Sequence, residues 1–144
     1  MTAEQMWKAF SEKRGIDSPY DAWAFGDDAD TLAELVLKGT KTATCSALPF
    51  YELEGEPLPR EGQYSVILDS RDQAVCVIQT TRGYQTPFSK ITEDHAWKEG
   101  EGDRSLSYWR QVHETFFSEE LSQVGIPFAQ DLMLVCEEFI RVFP

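Results

Sequence analysis

At 144 residues, 42% apolar and 26% charged, the chain has the make-up of one globular domain able to bury roughly two-thirds of its unfolded surface. Thirteen Lys and Arg against 25 Asp and Glu leave a net charge of −12. That excludes a protein gripping duplex DNA along a basic stripe, while a nucleoside, a nucleotide or short single-stranded RNA stays open as a ligand. No apolar run approaches ~20 residues, so no membrane span is expected. The polar, helix-like start MTAEQMWKAFSEKRG is not that of a signal peptide. Cys45, Cys76 and Cys136 lie far apart with no CxxC, which fits free thiols in a reducing cytoplasm better than disulfides or zinc. No metal and no cofactor is expected.

Thr2 to Arg14 reads as an amphipathic helix, with Thr2 and Gln5 as a capping box and Gly15 as its end. Asp17-Ser18-Pro19 is a turn, and Tyr20, Trp23 and Phe25 follow as an aromatic cluster. A second helix is expected over Thr31 to Lys38, capped by Asp30 or Thr31 and closed by Gly39. Thr40 to Ser46 is rich in β-branched residues, and Pro49 to Gly62 reads as a loop. Tyr64–Leu68 and Ala74–Thr81 form a hairpin about Asp69–Asp72, with a further short strand over Thr86–Ile91. Thr92–Lys98 is a short helix, Ser105 to about Ser122 the longest one, and Asp131–Phe143 a closing strand whose alternation slips at Glu137–Glu138, as a bulge causes. The order points to one α+β domain over 1–144, a small barrel of about five to six mostly antiparallel strands flanked by helices, with 1–19 as an N-terminal helical extension.

Three places gather chemistry. Lys41 and Thr44 lie three apart where a helix hands over to a strand; in a straight strand they point to opposite faces, and they converge only where the chain bends between them. A desolvated lysine can take a threonine's proton; a charged one stabilises an oxyanion or a phosphate. The plain alternative is a surface lysine beside a β-rich Thr run. The second place is Glu99-Gly100-Glu101-Gly102-Asp103-Arg104-Ser105, with three carboxylates spaced by two. Its glycines allow a tight turn or a close approach to a ligand. A solvated loop capping the next helix through Asp103 or Ser105 is the alternative. The third is the aromatic set, of which Tyr20, Trp23 and Tyr51 fall in turn-rich segments where a planar ligand could stack. His113 lies in the apolar stripe of the long helix and reads as a hydrogen-bonded core histidine; His95 reads as exposed or capping.

Gly39-Thr40-Lys41-Thr42-Ala43-Thr44 fits the GxKxxT signature of the ASCH domain, a β-barrel similar to the PUA fold of RNA-modifying proteins. WAFGDDADTLAELVLKGTKTATCSALPFYE, GEPLPREGQYSVILD and ITEDHAWKEGEGDRSLSYWRQVHETFF resemble the larger bacterial ASCH proteins from about Tyr20 to the C-terminus. The resemblance implies an enclosed cleft walled by the GxKxxT segment and a role in RNA or nucleotide metabolism. A small bacterial member hydrolyses N4-acetylcytidine with a lysine, a threonine and a glutamate; the matching positions are Lys41, Thr44 and Glu99, or Glu101 for the acid. Another member is a ribonuclease acting on single-stranded RNA through a lysine, a tyrosine and a serine, for which Lys41, Tyr20 or Tyr108, and Ser105 correspond. Gly39, Tyr20, Trp23, Glu101, Asp103, Arg104 and Ser105 are the ligand-binding candidates. A non-catalytic module binding a nucleotide or single-stranded RNA is the other implied function.

Overall fold

The computed structural model describes residues Met1–Pro144. Helix α1 (Ala3–Arg14) begins where Thr2 Oγ1 accepts from Gln5 N at 3.1 Å and the Gln5 side chain accepts from Thr2 N at 2.9 Å. Removing that cap by Thr2→Ala is expected to cost about 1 kcal/mol, read as a lower urea midpoint with an unchanged slope. Met6 and Phe10 seat the helix on Val66 and Val77 of the sheet.

Strand β1 (Tyr20–Ala24) leads to α2 (Ala29–Leu37), which starts earlier than the sequence suggests. Its cap is Asp28, accepting from both Thr31 N at 3.2 Å and Thr31 Oγ1 at 2.7 Å. Asp30, the expected cap, instead accepts from the Ser70 backbone and hydroxyl, tying the helix to the hairpin at 69–72. Several nearby aspartates offered equivalent caps, and a tertiary contact chose among them.

After β2 (Ala43–Ala47), the segment expected as loop forms α3 (Leu48–Glu54). Pro49 reads as a breaker in sequence, yet it occupies the first helical turn, where its missing N–H costs nothing. β3 (Tyr64–Leu68) pairs with β4 (Ala74–Pro87), a single strand of 14 residues that takes in the start of the separate strand expected at Thr86. Phe88–Lys90 form a 3-10 turn before α4 (Glu93–Glu99), α5 (Leu106–Ser122) and β5 (Met133–Phe143).

The five strands form one curled sheet in the order β1-β3-β4-β5-β2. Only β1–β3 is parallel; the other pairs are antiparallel, as expected for this α+β architecture. The ladder slips where Thr80 pairs with Phe139 and Arg82 with Glu138, so the extra residue, Thr81, belongs to β4 opposite the expected irregularity. Leu32, Val36, Ile67, Ile78 and Phe139 form one core, and Phe88, Trp109, Phe117, Leu121 and Leu134 another. Each such side chain contributes roughly 1.5–3 kcal/mol on burial. No helix is long and apolar enough to cross a membrane.

Candidate functional site

The chain leaving α2 folds back on the helix end. Thr40 N and Lys41 N both donate to Leu35 O, at 3.0 and 3.1 Å, and Thr42 N donates to Lys98 O at 2.7 Å. These bonds pin residues 40–42 between α2 and α4 and turn the Lys41 side chain inward. It is 1% exposed. Its Nζ donates to Glu99 Oε1 at 3.1 Å, to Glu99 O at 3.3 Å and to Glu101 Oε2 at 3.3 Å, using all three ammonium hydrogens. The Phe25 ring centroid lies 5.2 Å away. Lys41 is therefore a buried cation, not a surface lysine.

Glu99 closes α4 and is as buried as its partner. Its Oε2 accepts from Trp109 Nε1 at 2.8 Å and pairs with His95 Nε2 at 2.7 Å, while His95 Nδ1 lies 3.1 Å from the Tyr84 hydroxyl. A hydrogen on Nε2 donated to Glu99, with Nδ1 accepting from the Tyr84 hydroxyl, satisfies both contacts. His95 is thus buried in a hydrogen-bond chain, contrary to the exposed or capping role expected. Thr92 supplies the cap, and the spacing of four from Glu99 puts both residues on one helical face. His113 donates from Nδ1 to Trp109 O at 2.9 Å and stacks on the Trp109 ring. Its Nε2 faces Glu99 and Glu101 at 3.8 and 4.0 Å.

Burial alone lowers the affinity of Lys41 for its proton, but Glu99 and Glu101 outweigh it and leave the amine above its ordinary pKa. Burial likewise pushes Glu99 up, yet Lys41, the His95 hydrogen bond and His113 hold its carboxyl well below the usual range. Glu101 ends above its ordinary value: burial raises it, Lys41 pulls it down, and the Glu99 charge adds to the rise. The two carboxylates therefore shift in opposite directions, Glu99 down and Glu101 up.

The turn after α4 explains its glycines. Gly100 and Gly102 have φ of 76° and 58°, and a Cβ on Gly100 would meet Thr40 O at 2.6 Å. Asp103 accepts from Ser105 N at 2.8 Å, and Ser105 Oγ caps α5 by accepting from Tyr108 N at 3.0 Å. The Arg104 guanidinium lies 3.6 Å from the Trp97 ring centroid and donates to Trp97 O and Thr40 O. Asp103, Arg104 and Ser105 thus close the loop and line neither cavity described below. Gly39 turns the chain out of α2, and Tyr20 stacks on Trp7 with centroids 4.7 Å apart; both also lie outside the cavity walls.

Lys41, Thr44, Cys45, Glu99, Glu101 and His113 line a recess of about 50 Å³. Phe25, Gly26, Thr44, Cys45 and Phe116 are shared with a larger cavity of about 550 Å³, a size typical of small-molecule sites. Trp23 and Tyr51 give the larger cavity aromatic faces, and Asp21, Glu56, Glu120 and Glu137 give it carboxylates; no Lys or Arg lines it. Thr44 belongs to both spaces.

Cys45, Glu99 and His113 bring donor atoms within 4.8 Å of one another, the one cluster spaced for a metal ion. The Lys41 ammonium, 3.1 Å from Glu99 Oε1, already balances that carboxylate and would repel a cation held there. All three cysteines are free.

Sequence reasoning included Phe25 and Trp109 in the aromatic set but read most of that set as core, and it did not bring His95 or Glu137 to the site. The His95–Glu99 and Trp109–His113 pairs at i,i+4 were the available signals, but helical spacing alone does not tell a polar network from core packing.

The ASCH domain model matches residues 21–143. The protein EF3133 from Enterococcus faecalis V583 is 40% identical, with a TM-score of 0.90 over 97% of this chain and 87% of its own. An ASCH domain from Lactobacillus crispatus JV V101 is 32% identical, with a TM-score of 0.85 over 99% of this chain and 97% of its own. The hypothetical protein PH0355, 15% identical with a TM-score of 0.56 over 84% of this chain and 99% of its own, shares the fold alone. No curated protein matches. The match over residues 21–143 and the two close structural relatives make this chain a member of the ASCH domain family, with its PUA-like fold.

Proposed function

We propose that the recess and the larger cavity form one cleft for a small nucleoside-like ligand, and that an amide of that ligand, such as an N4-acylated cytidine, is hydrolysed there by Lys41, Thr44 and Glu99. One observation carries the reading: Lys41, a buried ammonium held by two carboxylates, and Thr44 line the same recess. Thr44 attacks the acyl carbon. Lys41 donates three hydrogen bonds to Glu99 and Glu101, which keeps it an ammonium, so it acts on the oxyanion through its charge and is not the base. Glu99 fixes the ammonium in place, and Trp23 offers the base a stacking face. The reaction as drawn uses no metal. The carboxylates around the larger cavity favour an unphosphorylated ligand over an RNA chain, whose phosphates they would repel. The three free thiols are in keeping with a cytoplasmic setting.

The test is incubation of N4-acetylcytidine and of a single-stranded RNA oligonucleotide with the protein and its Thr44→Val and Lys41→Ala variants. Deacetylation is expected, and Thr44→Val, which keeps the volume and removes the hydroxyl, is expected to lower kcat by at least about 10³-fold. RNA cleavage that survives Thr44→Val, or binding of either ligand without turnover, would overturn this reading.

A further inference from the structure

Hydrolysis through Thr44 needs a group that takes the hydroxyl proton, and Lys41, an ammonium with every hydrogen committed, has no free pair to offer. The cross-strand partner of Thr44 in the β2–β5 ladder is Glu137. Directly opposed residues of an antiparallel pair project to the same face, with Cβ atoms about 4.5–5.5 Å apart. Both residues line the larger cavity. Glu137 Oε2 accepts from Thr80 Oγ1 at 2.8 Å, and no cation pairs with the carboxylate.

We propose that Glu137 is the proton carrier for Thr44, a role that rests on the amide-hydrolysis reading above. Glu137 takes the Thr44 hydroxyl proton as the Oγ–C bond forms. It then delivers that proton to the nitrogen as the C–N bond breaks, releasing the amine and leaving the acyl group on Thr44. Water attacks the ester while Glu137 takes a proton from it. The Oγ–C bond breaks, the proton returns to Thr44, and the sum is amide plus water giving acid plus amine. The Lys41 charge favours the oxyanion in both halves while its hydrogens stay on Glu99 and Glu101.

Thr80 from β4 bonds Glu137, and the titratable groups that share its cavity are Asp21 from β1, Cys45 from β2, Tyr51 from α3, Glu56 beyond α3 and Glu120 from α5. Burial pushes its carboxyl above the ordinary value, the Thr80 hydrogen bond opposes that, and Asp21 adds to the rise. A base must be deprotonated, so kcat rises with pH through that raised value.

The decisive experiment is the pH profile of N4-acetylcytidine hydrolysis by the wild type and by Glu137→Gln, Glu137→Asp and Thr44→Val. Gln keeps an acceptor for Thr80, so Glu137→Gln is expected to melt at or above the wild-type temperature. Its kcat is expected to fall about 10²–10⁴-fold with KM little changed, and its acid limb to disappear. Glu137→Asp is expected to recover part of the rate with a displaced limb. Glu137→Gln retaining both rate and limb, while Thr44→Val is inactive, overturns the role of Glu137 and leaves the hydrolase reading intact. A wild type that turns over no amide overturns both.

Discussion

Lys41→Met is expected to destabilise the protein by about 3–5 kcal/mol at neutral pH, because it strips the compensating charge from a buried carboxylate. Glu99 is 1% exposed and fixed as an anion chiefly against its own burial by Lys41, so without that ammonium it must either stay charged in a low-dielectric site or bind a proton. The pH dependence follows from the signs. In the wild type the Glu99 pKa is depressed in the folded state. Its contribution is present above the unfolded value of about 4.3 and is lost as pH falls through the folded one. The raised Lys41 pKa contributes stability that is present below the unfolded value of about 10.4 and lost as pH rises through the folded one. In Lys41→Met, burial is left unopposed by the main cation, so the folded pKa of Glu99 moves above the unfolded one. Acidification from neutral pH towards the unfolded value then stabilises the variant and narrows its deficit. Urea titrations at neutral pH and near pH ~4.5 read this directly. Lys41→Met/Glu99→Gln is expected to recover at least about half of the loss, because a neutral amide can still accept from Trp109. A single-mutant loss under about 1 kcal/mol, independent of pH, would mean that the pair is solvated and the proposed oxyanion site is not preorganised.

How much of this was legible in the sequence depends on the range of the interaction involved. Local signals sufficed for α1, whose capping box and terminal glycine lie within the helix and its flanks, and for the β3–β4 hairpin. They failed where one residue type serves opposite ends of an element. Pro49 starts a helix although it reads as a breaker, and Asp28 caps α2 because Asp30 is claimed by Ser70, 40 residues away. The site divides in the same way. Lys41, Thr44 and the Glu99–Glu101 pair stood out through the resemblance of GTKTAT and the EGEGD turn to ASCH proteins, since residue type and spacing alone also fit a surface lysine and a solvated capping loop. Trp109 did not, since its partner Glu99 selects it only after α4 and α5 have packed, and His95, four residues from Glu99 on α4, did not because that spacing alone does not tell a polar pair from core packing. Glu137 was visible as a disturbance in strand alternation, but its place opposite Thr44 depends on β2 pairing with β5 rather than with β3, and pairing order is a long-range choice.

The second large effect is expected at Gly100. Its φ of 76° already costs a substituted residue on the order of 1–2 kcal/mol. Gly15, with φ of 65° and nothing within 4 Å of an added Cβ, carries that cost alone. At Gly100 the same methyl would also meet Thr40 O at 2.6 Å and Thr40 C at 2.9 Å, and this is backbone that cannot swing aside. Thr40 is held by its own N–H on Leu35 O and by Arg104 on its carbonyl, so the strain passes to the turn carrying Glu99 and Glu101. Gly100→Ala is accordingly expected to lose roughly 2–4 kcal/mol, against about 1 kcal/mol for Gly15→Ala. The difference between the two measures the close approach. The turn fixes where both carboxylates sit relative to Nζ, so the folded Gly100→Ala protein is also expected to lose Glu99 alignment, seen as altered Trp109 fluorescence and, in the hydrolysis assay, a lower kcat. Gly15→Ala changes neither. Equal losses at the two glycines would show that Gly100 serves only as the end of α4, and that the carboxylate turn has room to move.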